Sequence, residues 1–166
     1  MSVLLWGPCG CGKTEVGRAL AHRMGVAFVD ADALHPRANV IKMGRGDALD
    51  DADRMPWLAR VAEQLVAWRA GDTRGVVACS ALKLDYRDIL RAADPALTAV
   101  YLRISREIAR ERLETRSGHF MPVSLIDSQF EALQPPHFDE ACLVIDSTDG
   151  VEEGARLIHE AIRQQH

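Results

Sequence analysis

Short apolar runs alternate along the chain with longer segments in which apolar residues recur every three or four positions. The short runs predict five buried β-strands, over residues 3–6, 26–30, 76–79, 98–102 and 143–145. The longer segments predict helices over residues 14–24, 36–43, about 51–70, 105–115 and 123–133, and a helical stretch that follows the third strand and ends at Leu90. Asp149 and Glu152 predict an acidic capping box at the start of a last helix.

Continuous apolar strands separated by helices are typical of a parallel sheet that is covered on both faces. The prediction is therefore a three-layer α/β/α fold around a five-stranded parallel sheet. The chain has 166 residues, a length that predicts a single domain over residues 1–166. Ligands bind such sheets at the carboxyl ends of the strands, so the residues just after strands 1, 2 and 3 are the candidates for chemistry.

Composition and charge exclude some classes of protein. A net charge of -4 does not fit a domain that binds nucleic acid through its charge. No apolar run reaches the roughly 18 residues of a membrane span, and residues 1–10 do not resemble a signal peptide. We therefore expect a cytoplasmic protein with no membrane partner. The four cysteines have spacings that favour neither a disulfide framework nor a zinc site.

The segment that follows the first strand carries a phosphate-binding motif. Residues 7–14 match G-x-x-x-x-G-K-[ST] in full: Gly7, Pro8, Cys9, Gly10, Cys11, Gly12, Lys13 and Thr14. In such a loop the backbone N–H groups surround phosphate oxygens, and the following helix N-terminus adds positive charge. Lys13 is expected to reach the β- and γ-phosphates of a nucleoside triphosphate, and the Thr14 hydroxyl to bind Mg²⁺.

The motif alone leaves the phosphate acceptor open. The chain has no N-K-x-D sequence of the kind that reads guanine in GTPases, and its third strand ends in Cys79-Ser80 rather than Asp-Glu. A compact small-molecule kinase fits best, and a domain that only binds a nucleotide remains the alternative from another class.

Two carboxylates follow the second strand. Asp30 and Asp32 lie on the same side of the chain if the extended conformation persists beyond the strand. One carboxylate is expected to hold Mg²⁺, and the other to orient or deprotonate an acceptor hydroxyl. We assign the metal role to Asp30 and the acceptor role to Asp32.

Several longer strings resemble the small P-loop gluconokinases, which are related to shikimate kinase and the nucleoside monophosphate kinases. They are GPCGCGKT, DADALHPRANVIKMGRGDALDDADRMPWL, CSALKLDYRDILR, GHF and QFEALQPP, and they extend over nearly the whole chain. A shikimate kinase usually has Gly-Gly-Gly after strand 3, where this chain has residues 79–83, CSALK. The resemblance therefore favours gluconate over shikimate as the acceptor.

The resemblance implies that ATP phosphorylates the 6-hydroxyl of D-gluconate with Mg²⁺, in a homodimeric enzyme. The acceptor pocket is expected to provide cations and hydrogen-bonding groups for a carboxylate and several hydroxyls. The residues that lie in the matching motifs are Asp32, His35, Lys42, Arg54, Ser80, Lys83 and Arg87. The alternatives that remain are a kinase for another sugar acid, a polyol or a shikimate-like acceptor, and an ATP-binding regulatory protein with little turnover.

The resemblance also implies a small mobile lid over roughly residues 112–135. Arg112 and Arg116 stand four residues apart, and on a lid they would contact the nucleotide. Arg112 is expected to stabilise the transferring phosphoryl group, together with the catalytic residues Lys13 and Asp32. His119 is a candidate contact to phosphate or acceptor.

The two cysteines of the phosphate loop are an unusual feature. Cys9 and Cys11 precede a helix N-terminus and lie near Lys13. Both influences favour a thiolate, so we expect at least one of the two thiols to be more acidic than a free cysteine.

Overall fold

A computed structural model describes residues 1–115 and 122–165 of the chain. Five parallel strands form one sheet in the order β2-β3-β1-β4-β5. The strands are β1 Val3–Trp6, β2 Ala27–Asp30, β3 Gly75–Ala78, β4 Thr98–Arg103 and β5 Cys142–Asp146. Each predicted strand is present within one or two residues of its expected bounds.

Helices connect the strands and cover both faces of the sheet. They are α1 Lys13–Met24, α2 Arg37–Gly44, α3 Asp51–Ala70, α4 Leu84–Ala93, α5 Arg106–Thr115, α6 Val123–Ala132 and α7 Val151–Gln164. Asp50 caps α3 and forms a reciprocal capping box with Asp53. The capping box predicted before α7 is wrong, because Gly150 is the N-cap residue and the preceding turn includes Asp149.

Two apolar cores lie on opposite faces of the sheet. Alternate residues of β1 point in opposite directions, so Leu4 and Trp6 join one core and Val3 and Leu5 join the other. Helices α3 and α4 supply the first core with buried residues, and α1, α5 and α7 supply the second. This arrangement confirms the three-layer α/β/α fold.

The strand order places the candidate residues together. Because β1 lies between β3 and β4, the loop after β1 adjoins the loop after β3, where the Gly7 N–H donates to the Ser80 carbonyl oxygen at 3.2 Å. Strand β2 pairs with the other side of β3. The carboxyl ends of these three strands therefore form one edge. In the described residues, no helix is long and apolar enough to cross a membrane.

Candidate active site

The phosphate loop connects β1 to α1 in a conformation that requires glycine. Gly10 has a φ of 81°, and a Cβ atom there would lie 2.9 Å from the Ala109 carbonyl oxygen. Gly12 is the N-cap residue of α1 with a φ of 85°, and no side chain caps this helix. The first N–H groups of α1 are thus left to bind an anion, as the motif predicts.

Lys13 is half-buried at the start of α1. Its Nζ donates to the Pro8 carbonyl oxygen at 3.0 Å, across the loop. Burial alone would lower the pKa of Lys13, but the acidic groups around it, Cys11 and Asp32 foremost, outweigh burial and raise that pKa above its ordinary value. The ammonium group therefore remains charged at neutral pH, as phosphate binding needs.

Asp30 and Asp32 occupy different places because the chain turns directly after β2. Residues Ala31–Leu34 form a 3₁₀ turn, so the extended conformation on which the sequence argument depended ends at Asp30. One carboxylate oxygen of Asp30 accepts from the Asp32 N–H at 3.0 Å, and the other accepts from the Thr14 hydroxyl at 2.8 Å. Asp30 therefore lies against the start of α1, and Asp32 projects from the turn.

A cavity of about 340 Å³ opens beside the phosphate loop. Its walls are formed by Cys9, Lys13, Asp32, His35, Val40, Met43, Ala48, Leu49, Arg54, Trp57, Ser80, Leu125, Ser128 and Gln129. Six residues that the sequence singled out for phosphate or acceptor chemistry thus share one space: Cys9 and Lys13 of the loop, with Asp32, His35, Arg54 and Ser80.

Asp32 has the surroundings of a general base. Burial raises the pKa of its carboxyl group above the ordinary value, Lys13 opposes that shift, and Asp30 adds to it. A raised pKa brings a carboxylate closer to the proton affinity that a base needs, and the nearby ammonium group favours its ionised form. This supports the acceptor role that the sequence assigned to Asp32.

Trp57 fixes the turn that carries Asp32. The indole N–H donates to the Ala31 carbonyl oxygen at 2.7 Å, and the ring stacks on His35 with centroids 4.3 Å apart. Burial, together with Arg54, lowers the pKa of His35 to about 4. His35 is therefore neutral at physiological pH and offers the cavity a hydrogen-bonding group rather than a cation.

The predicted acceptor cations do not all reach the cavity. Arg54 lines it, whereas Lys83 lies beside it and donates to Asp51 at 2.7 Å. Both cations lie 5.7 Å from the centroid of the Tyr86 ring.

Lys42 is held by the start of α3. Its Nζ donates to an Asp53 carboxylate oxygen at 2.6 Å, and the residue does not line the cavity. Arg54 is thus the predicted acceptor cation that the structure brings to the cavity itself, and Lys42 and Lys83 lie around it.

Arg87 is the clearest departure from the sequence-based site. Its side chain is fully buried, outside the cavity, and is paired with Glu140 at 2.6 and 2.8 Å. It also donates to the carbonyl oxygens of Ala81 and Leu82 and lies 3.9 Å from the centroid of the Trp6 ring. Arg87 therefore holds the loop that follows β3. The prediction that it contacts the acceptor is wrong, because its buried side chain does not line the cavity.

Replacing Arg87 with methionine is expected to destabilise the protein strongly. Burial would raise the pKa of Glu140, but Arg87 and Arg91 outweigh it and lower that pKa to about 2, so Glu140 stays charged. Removing one partner of a buried ion pair costs about 3–5 kcal/mol, because the remaining charge is poorly compensated. Urea unfolding measures this loss, and Arg91→Ala is the matched control, since Arg91 is partly exposed. An Arg87→Met cost no larger than that of Arg91→Ala would contradict this role.

Arg112 contacts the phosphate loop outside the cavity. Its guanidinium donates to the Gly10 carbonyl oxygen at 3.2 Å and to the hydroxyl and carbonyl oxygens of Ser147 at 2.7 and 2.9 Å. It does not line the cavity. The predicted lid spans the end of α5 and all of α6, but Arg116 and His119 lie outside the described residues.

Helix α6 contributes residues that the sequence analysis missed. Leu125, Ser128 and Gln129 line the cavity, and the Gln129 amide oxygen accepts from the Cys9 N–H at 2.7 Å. The available signals were the string QFEALQPP, which begins at Gln129, and the spacing of the three residues, because positions three and four residues apart share one helix face. That spacing does not show which element the face will meet.

The Cys9 thiol is less acidic than a free cysteine, contrary to the prediction. Burial raises the pKa of the Cys9 thiol to about 11, and the proximity of Lys13 offsets only part of that shift. Cys11 is 1% exposed and packs in the core below the loop. The expectation of a reactive thiolate is therefore wrong for Cys9, and Cys11 is shielded by packing.

The oxygen atoms near the start of α1 suit a magnesium ion. Within residues 1–115 and 122–165, no cluster of three or more His, Cys, Asp or Glu side chains could hold a metal. Mg²⁺ in phosphate-transfer sites needs no such cluster, since one or two protein oxygens and the substrate phosphates hold it. The Thr14 hydroxyl and the Asp30 carboxylate, 2.8 Å apart, provide oxygens of that kind.

Comparisons with known proteins agree on one family. The family model described as "Shikimate kinase" matches residues 9–162. A gluconokinase of Gluconobacter oxydans (strain 621H) is 44% identical over 138 residues, which cover 83% of this chain and 78% of that protein. The thermoresistant gluconokinase of Escherichia coli (strain K12) is 39% identical over 151 residues, which cover 91% and 86%. The crystal structure of a gluconokinase from Sinorhizobium meliloti 1021 has 40% identity and a TM-score of 0.83, over 99% of this chain and 97% of that chain.

Proposed function

We propose that this chain, which belongs to the shikimate kinase family and to the gluconokinases within it, transfers the γ-phosphoryl group of ATP to the 6-hydroxyl of D-gluconate. The products are 6-phospho-D-gluconate and ADP. One observation carries the proposal: a single cavity brings Lys13 of the phosphate loop together with Asp32 and Arg54. A phosphate-binding cation, a candidate base and a cation for a carboxylate thus face one space.

The reaction follows from these positions. The acceptor hydroxyl oxygen forms a bond to the γ-phosphorus as the bond from that phosphorus to the β,γ-bridging oxygen breaks, and Asp32 takes the hydroxyl proton. Lys13 and the N–H groups of the loop bind the phosphate oxygens, on which charge is concentrated. Thr14 and Asp30 would hold Mg²⁺, which would supply positive charge to neutralise the phosphate oxygens.

Arg54 is proposed to bind the gluconate carboxylate. A guanidinium group pairs with a carboxylate through two parallel hydrogen bonds, which fixes the orientation of the sugar acid as well as its position. Ser80 and the neutral imidazole of His35 line the same cavity and supply hydrogen bonds for hydroxyl groups. The reacting end of gluconate would then lie towards Asp32 and Lys13.

A parallel substrate panel tests the proposed function. ADP release from ATP-Mg²⁺ is measured with gluconate, isomers of gluconate, shikimate and AMP as acceptors. Gluconate is expected to stimulate turnover strongly, and shikimate and AMP are not. Equal rates with shikimate would overturn the assignment of the acceptor, and ATP turnover that no acceptor stimulates would favour a nucleotide-binding regulator.

Arg54→Ala is expected to raise the KM for gluconate by about 10- to 100-fold, which corresponds to the loss of a hydrogen-bonded charge pair. The KM for ATP should change much less, because the phosphate loop is intact. Lys42→Ala is expected to raise the gluconate KM by a smaller factor, since Lys42 acts through Asp53. Arg69→Ala, at the exposed far end of α3, is the matched control. A rise in KM for ATP alone would remove Arg54 from the acceptor pocket.

The domain organisation, oligomeric state, compartment and partners are proposed from the family resemblance and from the composition of the chain. We propose one kinase domain with a lid over roughly residues 112–135, working as a homodimer in the cytoplasm without nucleic-acid or membrane partners. Light scattering after size-exclusion chromatography tests the homodimer, and a mass of one chain would overturn it.

A further inference from the structure

Gln129 connects α6 directly to the phosphate loop. Its amide oxygen accepts the Cys9 N–H at 2.7 Å, across 120 positions of sequence. Helix α6 is held at this place by further contacts, because Asp127 accepts from Arg110 at 3.1 Å and lies 3.5 Å from Arg106, both of them on α5. The Gln129 side chain is therefore fixed on the loop.

The hydrogen bond to Cys9 determines which way the Gln129 amide faces. A backbone N–H is a donor, so the atom of Gln129 that meets it must be the carbonyl oxygen Oε1. The two donors on Nε2 then remain, and no residue in the described part of the chain accepts from them. Gln129 lines the same cavity as Lys13 and Asp32, so Nε2 is left to a group that enters the cavity next to the loop.

We propose that Gln129 is a further binding residue for the transferring γ-phosphoryl group. Its Oε1 is anchored on Cys9, and its Nε2 donates a hydrogen bond to an oxygen of the γ-phosphate. This inference rests on the proposed phosphoryl transfer. It adds a neutral donor from α6, whose residues at the cavity, Leu125, Ser128 and Gln129, carry no charge. The anchor fixes the donor before the nucleotide arrives, which limits the entropy lost on binding.

A second glutamine also accepts a backbone N–H through its side-chain oxygen, but it lies outside the cavity. Gln134 accepts the Leu84 N–H through its Oε1 at 2.8 Å, at the start of α4, and it does not line the cavity. Comparison of the two positions therefore separates the effect of holding a backbone N–H from the effect of facing the phosphates.

Two substitutions at Gln129 distinguish a phosphate contact from a structural bond. Gln129→Glu keeps an acceptor for the Cys9 N–H but replaces the donor with a negative oxygen. Gln129→Met has a similar size and removes both functions. If Nε2 binds the γ-phosphate, methionine must weaken binding of a nucleotide with a γ-phosphate more than binding of ADP, and glutamate must be worse still because it adds a negative oxygen; if Gln129 only holds Cys9, methionine must weaken both nucleotides equally.

Calorimetry with ADP and with the imido analogue of ATP measures the effect without any acceptor. The ratio of the Kd of the analogue to the Kd of ADP is expected to rise by about 10-fold or more in Gln129→Glu, and by a smaller factor in Gln129→Met, since a hydrogen bond to a charged group is lost in both. Gln134→Glu and Gln134→Met should leave the ratio unchanged. In turnover assays, kcat should fall in the same order as the ratio rises.

The inference is overturned if Gln129→Glu behaves like the wild type, if methionine is the worse replacement, or if both nucleotides weaken equally. A thermal melt of each variant with ADP shows that the loop remains folded. Because the binding arm uses no gluconate, it decides the role of Gln129 even if the acceptor panel rejects gluconate as the substrate.

Discussion

Lys13→Ala is expected to lower kcat by about 10³-fold or more, the loss that follows when a charge that stabilises the transferring phosphoryl group is removed. Of the residues that line the cavity, Lys13 and Arg54 are the cations, since His35 has a pKa of about 4. Arg54 lies on α3 at the acceptor side, and Arg112 contacts the loop without lining the cavity, so within the described residues no second cation of the cavity replaces Lys13 at the loop. The variant is measured by ADP release at saturating ATP and gluconate.

Lys13→Arg is the informative control for this loss. Arginine keeps the positive charge, but its planar guanidinium is larger than an ammonium group and cannot occupy the same enclosed point beside the Pro8 carbonyl. We expect the arginine variant to remain far below the wild-type kcat. Thermal melting monitors the fold of both variants, and near-normal turnover in either one would remove Lys13 from the catalytic site.

The fold and the phosphate loop were predictable because their signals are local. An apolar run of four or five residues specifies a buried strand wherever it pairs, and the loop motif specifies its own backbone conformation through residues such as Gly10 and Gly12. The places of Asp30 beside Thr14 and of Asp32 at the cavity agree with the roles assigned from the sequence, and those roles stay predictions. The extended conformation ends at Asp30, and a 3₁₀ turn anchored by Trp57 places Asp32 in the cavity.

The errors concern charged residues whose partners lie far away in sequence. Arg87 belongs to a motif that also contains Ser80, and only the tertiary structure shows that it pairs with Glu140, 53 positions later, beneath the loop. Gln129 shows the reverse case, because nothing local connects it to Cys9. Sequence patterns predict which face a residue occupies, and the packing of α4 and α6 decides what that face meets.

Asp32→Asn is expected to lower kcat by about 10²- to 10⁴-fold, the usual contribution of a general base, while the Kd for ATP changes little. Asparagine retains the shape of the side chain but cannot accept the hydroxyl proton. The residue must be ionised to act, and its pKa is raised by burial, so the wild-type kcat should decline as the pH falls towards that raised pKa. Steady-state rates between pH 5 and 8 measure this decline, and the residual activity of the asparagine variant should lack it.

Asp30→Asn is the matched control for Asp32→Asn, since both carboxylates follow β2 and only two positions separate them. Asp30 bonds to Thr14 and caps the turn, so its loss should raise the Mg²⁺ concentration needed for half-maximal rate. At saturating Mg²⁺, Asp30→Asn should recover more of the wild-type kcat than Asp32→Asn does. If Asp30→Asn is instead the slower enzyme under that condition, Asp30 is the base and the two assignments are reversed.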